Sequence, residues 1–284
     1  MISGAEILEI GAGPPRSPSL SFSSRGSTQR RFSVSRPRSL FGMAPEYLQR
    51  ILSYNQMDFQ YACSQMVSLC RSPSAVYKST KLRKQIKNQW ARDDPAFVVI
   101  VLFFMTVSAV SFSIAFGFVS VWHFARLVLG AVLFDFLGIG AFIATVGWYL
   151  ANQYMRVQRI ITIDQTVEWL YAFDIHCNAF FPVFLLLYVL QFYLSPLLLA
   201  KSFLSTLFAN TLYAAAFCYY HYVSFLGYNA LPFLQNTQWF LYPTVLIAAA
   251  YVLSLLFQFN VAYFFLHIPT RAARGPEGRT LGRY

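Results

Sequence analysis

The chain has 284 residues, of which 57% are apolar, 18% aromatic and only 12% charged. A soluble globular domain carries about a quarter charged residues, so half the usual charge is missing and an ordinary soluble protein is excluded. The formal charge of +11 is unevenly placed, with 14 of the 22 Lys and Arg at or before Arg92, so a basic region facing an anionic surface or acidic partners precedes an apolar body.

Residues 1–44 are rich in Ser, Arg, Pro and Gly and read as a disordered basic tail, because they hold too little apolar surface to offset the entropy of ordering. They contain no apolar run ahead of a small-residue cleavage site, so a cleaved signal peptide is not expected and the first span would direct insertion. The Arg- and Ser-rich composition also fits a transit peptide, but Glu6 and Glu9 count against one. Residues 45–92 read as cytosolic amphipathic helices. In the first, over 45–70, Leu48, Ile51, Leu52, Phe59, Ala62, Met66, Leu69 and Cys70 recur at steps of three and four. Ser72-Pro73 breaks it. A second helix over 75–90 places Val76, Leu82, Ile86 and Trp90 on one side and Lys78, Lys81, Arg83, Lys84 and Lys87 largely on the others. Such a helix lies in the headgroup plane, where each cation near the anionic cytosolic leaflet is worth about 1 kcal/mol. RNA is the alternative partner for these cations, although no nucleic-acid recognition fold accompanies them. Cys63 and Cys70, seven apart, fall on one helical face; with Cys177 and Cys218 they show neither CxxC nor zinc spacing and read as free thiols.

A membrane domain over 93–268 begins at Asp93-Asp94-Pro95. Asp94 suits the helix cap and Pro95 the first helical position, where a missing N–H leaves nothing unpaired. Five segments then exceed the roughly 20 apolar residues that a bilayer crossing needs: 96–121, about 126–150, about 178–200, 202–225 and 239–267, ahead of a disordered tail over 269–284. The fold class is therefore all-α, a polytopic membrane protein with five transmembrane helices preceded by cytosolic amphipathic helices. With the N-terminus in the cytosol, that side holds the 14 front cations plus Arg156 and Arg159, 16 against six, which places the C-terminus in the lumen.

Three places could carry chemistry. Asp135 is the one carboxylate deep in a span, and Asn210 and His221 are its expected polar neighbours. Gly138, Gly140, Ala141, Ala144 and Gly147 follow it and make one side of this helix small enough for close packing. Glu168, Asp174, His176 and Asn178 cluster where a cytosolic loop enters the third span, with Asp174 and Asn178 on one helical face; no HExxH or GxSxG accompanies them, so capping and interhelical hydrogen bonding are the default. Residues 225–238 form an uncharged loop in which Gly227, Asn229 and Pro232 prevent a regular helix. Gly227, Tyr228, Asn229, Leu231 and Pro232 form a surface that dips into the interface or docks a partner.

QMDF at 56–59, QWARDDPAF at 89–97, VEWLYAFDIHCNAFFP at 167–182 and FLGYNALPFL at 225–234 resemble, in order and spacing, the uncoordinated-fifty family of eukaryotic Golgi membrane proteins. The resemblance covers roughly residues 46–266. It implies five spans, a cytosolic N-terminus and residence in Golgi membranes, with the endoplasmic reticulum or nuclear inner membrane as alternatives. It also implies a non-enzymatic part in protein transport: cell-surface delivery of nicotinic acetylcholine receptor subunits as cargo, and recruitment of Arf guanine-nucleotide exchange factors. The family offers no catalytic residue to carry over, and no cofactor or metal is expected. A small transporter or channel centred on Asp135 and an intramembrane enzyme using Glu168, Asp174 and His176 are the competing readings; the first lacks inverted repeats and the second a convergent acid–base set.

Overall fold

Helices make up nearly all of what the computed structural model describes, residues 57–116, 121–157 and 165–266, so the expectations for 1–56 and 267–284 fall outside the described residues. Helix α1 (Phe59–Arg71) starts where Asp58 accepts the Tyr61 N–H at 2.8 Å, and α2 (Pro73–Lys87) opens directly on the expected proline. Asn88, at φ 54°, ends α2 in the left-handed conformation that asparagine tolerates. The inner face of this hairpin buries Ala62, Gln65, Met66 and Leu69 from α1, and Val76, Tyr77 and Thr80 from α2.

The apolar stripe expected on α2 splits. Val76 and Trp90 are buried, whereas Leu82 and Ile86 are 58% and 75% exposed. At 3.6 residues per turn, Leu82 and Ile86 are rotated about 240° and 280° from Val76, so they fall on the outer side with Lys78 and Lys81.

Four helical runs are long and apolar enough to cross a membrane: Ala96–Ala115, Phe124–Tyr154, Trp169–Leu198 and Thr237–Leu256. The first is α3 (Ala96–Ala115). The second joins α4 (Val121–Leu129) to α5 (Ile139–Tyr154) through a π-helical stretch, Gly130–Gly138. The third joins α6 (Trp169–Phe184) to α7 (Gln191–Leu198) through another, Leu185–Leu190. Between the third and fourth lies α8 (Phe203–Asn229), 27 residues without a charged side chain but less apolar for its tyrosines, Asn210 and His221. Five expected spans thus become four by length and apolarity, plus α8. The fourth run ends in α9 (Pro243–Leu256).

Two boundaries differ most from expectation, beyond the first run, which ends at Ala115 rather than 121. The third run begins at Trp169 rather than near 178, because the polar residues of 168–178 find partners inside the protein and need no loop. The last ends at Leu256 rather than 267: the chain turns through Gln258 at φ 52°, and Asn260 caps a further helix over 261–266 by accepting the Tyr263 N–H at 2.9 Å.

Helix α6 is the centre of the molecule, and every residue from Tyr171 to Phe184 is buried. It packs between α5 and α8, and close approach is bought with small residues. A Cβ on Gly140 would lie 2.3 Å from the His176 ring, and one on Gly147 would lie 2.3 Å from the Tyr228 hydroxyl. The long helices alternate in direction. The start of α6 meets the end of α5 through Trp148 and Asn152, both bonded to the Val167 carbonyl, and the end of α8 through Tyr171 and Gly227. At the other end, Ser202 caps α8 after the expected tight turn at Lys201.

Candidate functional site

The end of the bundle where α3 and α6 both begin gathers the most polar chemistry, around a residue that the sequence marks only as one cation among many. Arg92 lies in the short connection between α2 and α3, and its side chain is 7% exposed. Its backbone N–H donates to Asp174 Oδ2, and its Nε lies 3.5 Å from Asp174 Oδ1. The guanidinium donates to Gln65 Oε1 at 3.1 Å, to the Asp174 carbonyl at 3.3 Å and to Asn178 Oδ1 at 2.9 Å, and stacks 4.2 Å from the centre of the Phe97 ring. One fork of donors therefore ties α1, the start of α3 and α6 together. Burying such a charge is costly, and saturating its donors offsets much of that cost. Asp174 and Asn178 share a helical face, as their spacing predicts, but that face points into the protein rather than to the interface.

The neighbours extend the network. Glu168 accepts the Ala91 N–H at 3.4 Å. Trp90 packs on Tyr171 and Phe233 at ring-centre distances of 6.0 and 6.3 Å. Asp94 accepts the Ala96 N–H through one oxygen and the Asp58 N–H through the other, each at 2.9 Å, so it caps α3 and pins α1 to it. Pro95 sits one position earlier than expected, at the cap itself. Tyr77 is buried beside Asn178, and burial pushes its phenol far above the ordinary range. Beside the network opens a cleft of about 430 Å³, lined by Asp58, Tyr61, Arg83, Lys87, Arg92 and Asp93 among others. The described residues of the four stretches, 57–59 of QMDF with QWARDDPAF, VEWLYAFDIHCNAFFP and FLGYNALPFL, meet here through the Asp58–Asp94, Arg92–Asp174 and Trp90–Phe233 contacts.

The five α2 cations divide. Arg83 donates to the Tyr61 hydroxyl at 3.2 Å, Lys84 to the Asn88 carbonyl at 2.8 Å while lying 5.6 Å over the Trp90 ring, and Lys87 pairs with Asp93 at 3.0 Å. Lys78 and Lys81 project from the outer face.

Other candidates go elsewhere. His176 turns away from Asp174 into a cluster of Phe136, Phe173 and Phe180, with its Nδ1 hydrogen-bonded to the Tyr220 hydroxyl at 2.8 Å, so Glu168, Asp174 and His176 do not converge. Among the described residues no three His, Cys, Asp or Glu side chains are grouped as a metal ion would need. The partner of Asp135 is neither Asn210 nor His221. Asp135 accepts the Tyr188 hydroxyl at 2.9 Å, whereas Asn210 ties α8 to Ser254, Phe259 and Val261, and His221 packs beside Tyr220.

The 225–238 loop needs the largest correction. Its first five residues continue α8 to Asn229, and Gly227 is there for close contact: a Cβ would lie 2.7 Å from Ile175. The Gly227 carbonyl accepts the Tyr171 hydroxyl at 2.8 Å, and Tyr228 stacks on Phe240 at 3.9 Å. Leu231 is 2% exposed and belongs to the core, which leaves Asn229 and Pro232 as the exposed members of the set.

A family model described as the UNC-50 family matches residues 47–270. The chain belongs to the UNC-50 family. It is 50% identical over 230 residues to an unc-50 homologue of Dictyostelium discoideum, covering 81% of this chain and 87% of that one. It is 43% identical over 222 residues to the Homo sapiens homologue, 77% of this chain and 83% of the other, and similarly to homologue A of Xenopus laevis. No solved structure matches it. Every residue of the Arg92 network lies within the UNC-50 match.

Proposed function

We propose that this UNC-50 protein is a non-enzymatic membrane protein of the Golgi and early secretory pathway that supports protein transport by recruiting machinery at its cytosolic face. In this reading α8 is the fourth of five spans, the N-terminus is cytosolic and the C-terminus lumenal. The observation that carries it is the convergence of the four family-like stretches on the Arg92 network at one end of the bundle. There they hold the α1–α2 hairpin rather than a catalytic set or a pore. The alternating helix directions and the cation excess before Arg92 support the topology. The recruited partner is an Arf guanine-nucleotide exchange factor, and the cargo served includes nicotinic acetylcholine receptor subunits.

The test uses proteoliposomes bearing the full chain and a purified exchange factor. Because Arg83, Lys84 and Lys87 are engaged within the protein, Lys78→Glu with Lys81→Glu should lower recruitment several-fold, and the difference should shrink as salt rises. Unchanged recruitment by the correctly inserted double variant would refute it. Protease protection of terminal tags in sealed vesicles checks the topology: digestion of both tags without detergent contradicts five spans.

A further inference from the structure

The cleft beside the Arg92 network is lined by charges of both signs, and contacts within the protein use up most of them. Both oxygens of Asp94 accept backbone N–H groups, Arg92 donates to Gln65, Asp174 and Asn178, and Asp93 is paired with Lys87. Three of the lining groups keep capacity. The Asp58 carboxylate accepts the Tyr61 N–H through Oδ1, and its Oδ2 has no partner among the described residues. The Arg83 guanidinium gives one N–H to the Tyr61 hydroxyl, and its other donors have no partner among the described residues. Lys87, one turn beyond Arg83 on α2, gives one N–H to Asp93 and keeps two.

Tyr61 holds the open carboxylate and the open guanidinium apart. Asp58 is bonded to its backbone N–H at 2.8 Å and Arg83 to its hydroxyl at 3.2 Å, and no ion pair joins the two among the described residues. Opposite charges separated in this way suit a ligand that carries both signs on a short spacer. A singly charged ligand would satisfy one of them and bring a like charge beside the other. A primary ammonium fits the Asp58 oxygen, because only an N–H can donate to it. An anion with several acceptor oxygens fits Arg83 and Lys87, which offer several donors. The volume of about 430 Å³ is within the range of small-molecule sites. Pro95 and Phe97 also line the cleft, and the first membrane-crossing run begins at Ala96. The cleft therefore lies at the level where a span leaves the hydrocarbon, which is where lipid headgroups sit.

We propose that this cleft binds the headgroup of an amine-bearing phospholipid of the phosphatidylethanolamine type. Arg83 and Lys87 hold its phosphate and Asp58 its ammonium, while the acyl chains run out past Pro95 and Phe97 along α3. The site uses neither Lys78 nor Lys81, on which recruitment of an exchange factor rests, so either reading can fail without the other.

Native mass spectrometry of the full chain, released from detergent with lipids of identical acyl chains, counts the bound lipid directly. Phosphatidylethanolamine is expected to bind about tenfold tighter than phosphatidylcholine, which cannot donate to Asp58, or phosphatidylglycerol, which has no cation. The singly and doubly N-methylated lipids should fall in between, in that order. Asp58→Asn keeps an oxygen for the Tyr61 N–H, and so the α1 cap, but removes the charge; it should bring phosphatidylethanolamine down to the level of phosphatidylcholine. Arg83→Gln should weaken all three lipids, whereas Arg71→Gln, which removes an equal charge from the exposed end of α1, should weaken none. Soluble glycerophosphoethanolamine should displace the lipid only at much higher concentration. Equal binding of the three lipids overturns the proposal, as does an ethanolamine preference unchanged in folded Asp58→Asn or binding unchanged in folded Arg83→Gln. Tightest binding of phosphatidylglycerol overturns it too, because the cleft would then take the phosphate alone. Glycerophosphoethanolamine bound as tightly as the lipid would overturn a lipid as the source of the headgroup.

Discussion

Replacing Arg92 by Met removes the guanidinium while keeping the stem that lies against Phe97. Three donated hydrogen bonds, to Gln65, the Asp174 carbonyl and Asn178, disappear together with the ion pair to Asp174. Asp174 keeps only the Arg92 backbone N–H as a neutralising contact within this network. Breaking a buried pair by removing one partner costs about 3–5 kcal/mol, which raises the opening equilibrium by something on the order of 10²–10³-fold or slightly more. The cost falls on the attachment of α1, because Gln65 is its polar link to α6 and the α3 helix has Asp94 as its own cap. Amide hydrogen exchange in lipid nanodiscs should therefore show faster exchange across residues 59–87 and little change in α8. Arg92→Lys should fall between, since a lysine keeps the charge but cannot serve three acceptors in a planar fork. Unchanged protection of 59–87 would refute the clasp, and so would equal loosening of α8, which would mean that the network holds the whole bundle instead.

Three further outcomes follow from the packing. Leu231→Ala should destabilise the protein by about 2–4 kcal/mol, seen as a lower thermal midpoint in detergent, because this side chain is in the core and not on a docking surface. Gly227→Ala should cost about 1–3 kcal/mol by driving a methyl into Ile175, and Ile175→Ala in the same chain should recover part of the loss by the same measurement. Maleimide should label Cys63 and Cys70, both on the exposed surface, and spare buried Cys177; neighbouring groups shield the Cys70 sulfur in part and raise its thiol above the ordinary range, so its labelling should be slow near neutral pH and accelerate as pH rises.

Hydropathy and spacing are enough for the all-helical membrane architecture, the turn at Lys201, the break at Pro73 and the shared face of Asp174 and Asn178, because each depends on local chemistry. What escapes is set by partners distant in the chain. The start of the third run reads as a loop because Glu168, Asp174 and Asn178 lower its apolarity, and only their contacts with 91–92 make a buried helix there. The partner of Asp135 escapes because Asn210 and His221 stand out as polar groups in another span, whereas Tyr188 sits inside the apolar stretch Leu185–Leu190 and reads as one more core aromatic. Gly227 reads as a helix breaker, whereas its missing side chain is what admits Ile175. The importance of Arg92 had a trace in its motif, but one cation among 14 carries no sign of which will be buried.

The Arg92–Asp174 contact spans 82 residues of chain, and that separation dictates an order of assembly. As the protein is made, α1, α2 and Arg92 leave the ribosome before Asp174 has been translated, and two runs must enter the membrane first. Until then the hairpin has no polar anchor on α6 and stays a tethered segment at the surface. It can lock down only when the third run arrives with Asp174 on the same side of the bilayer as Arg92. An inverted third run would put that carboxylate across the membrane and leave the hairpin undocked, so the position of α1 and α2 is a physical record of correct insertion, open to inspection from their own side of the bilayer.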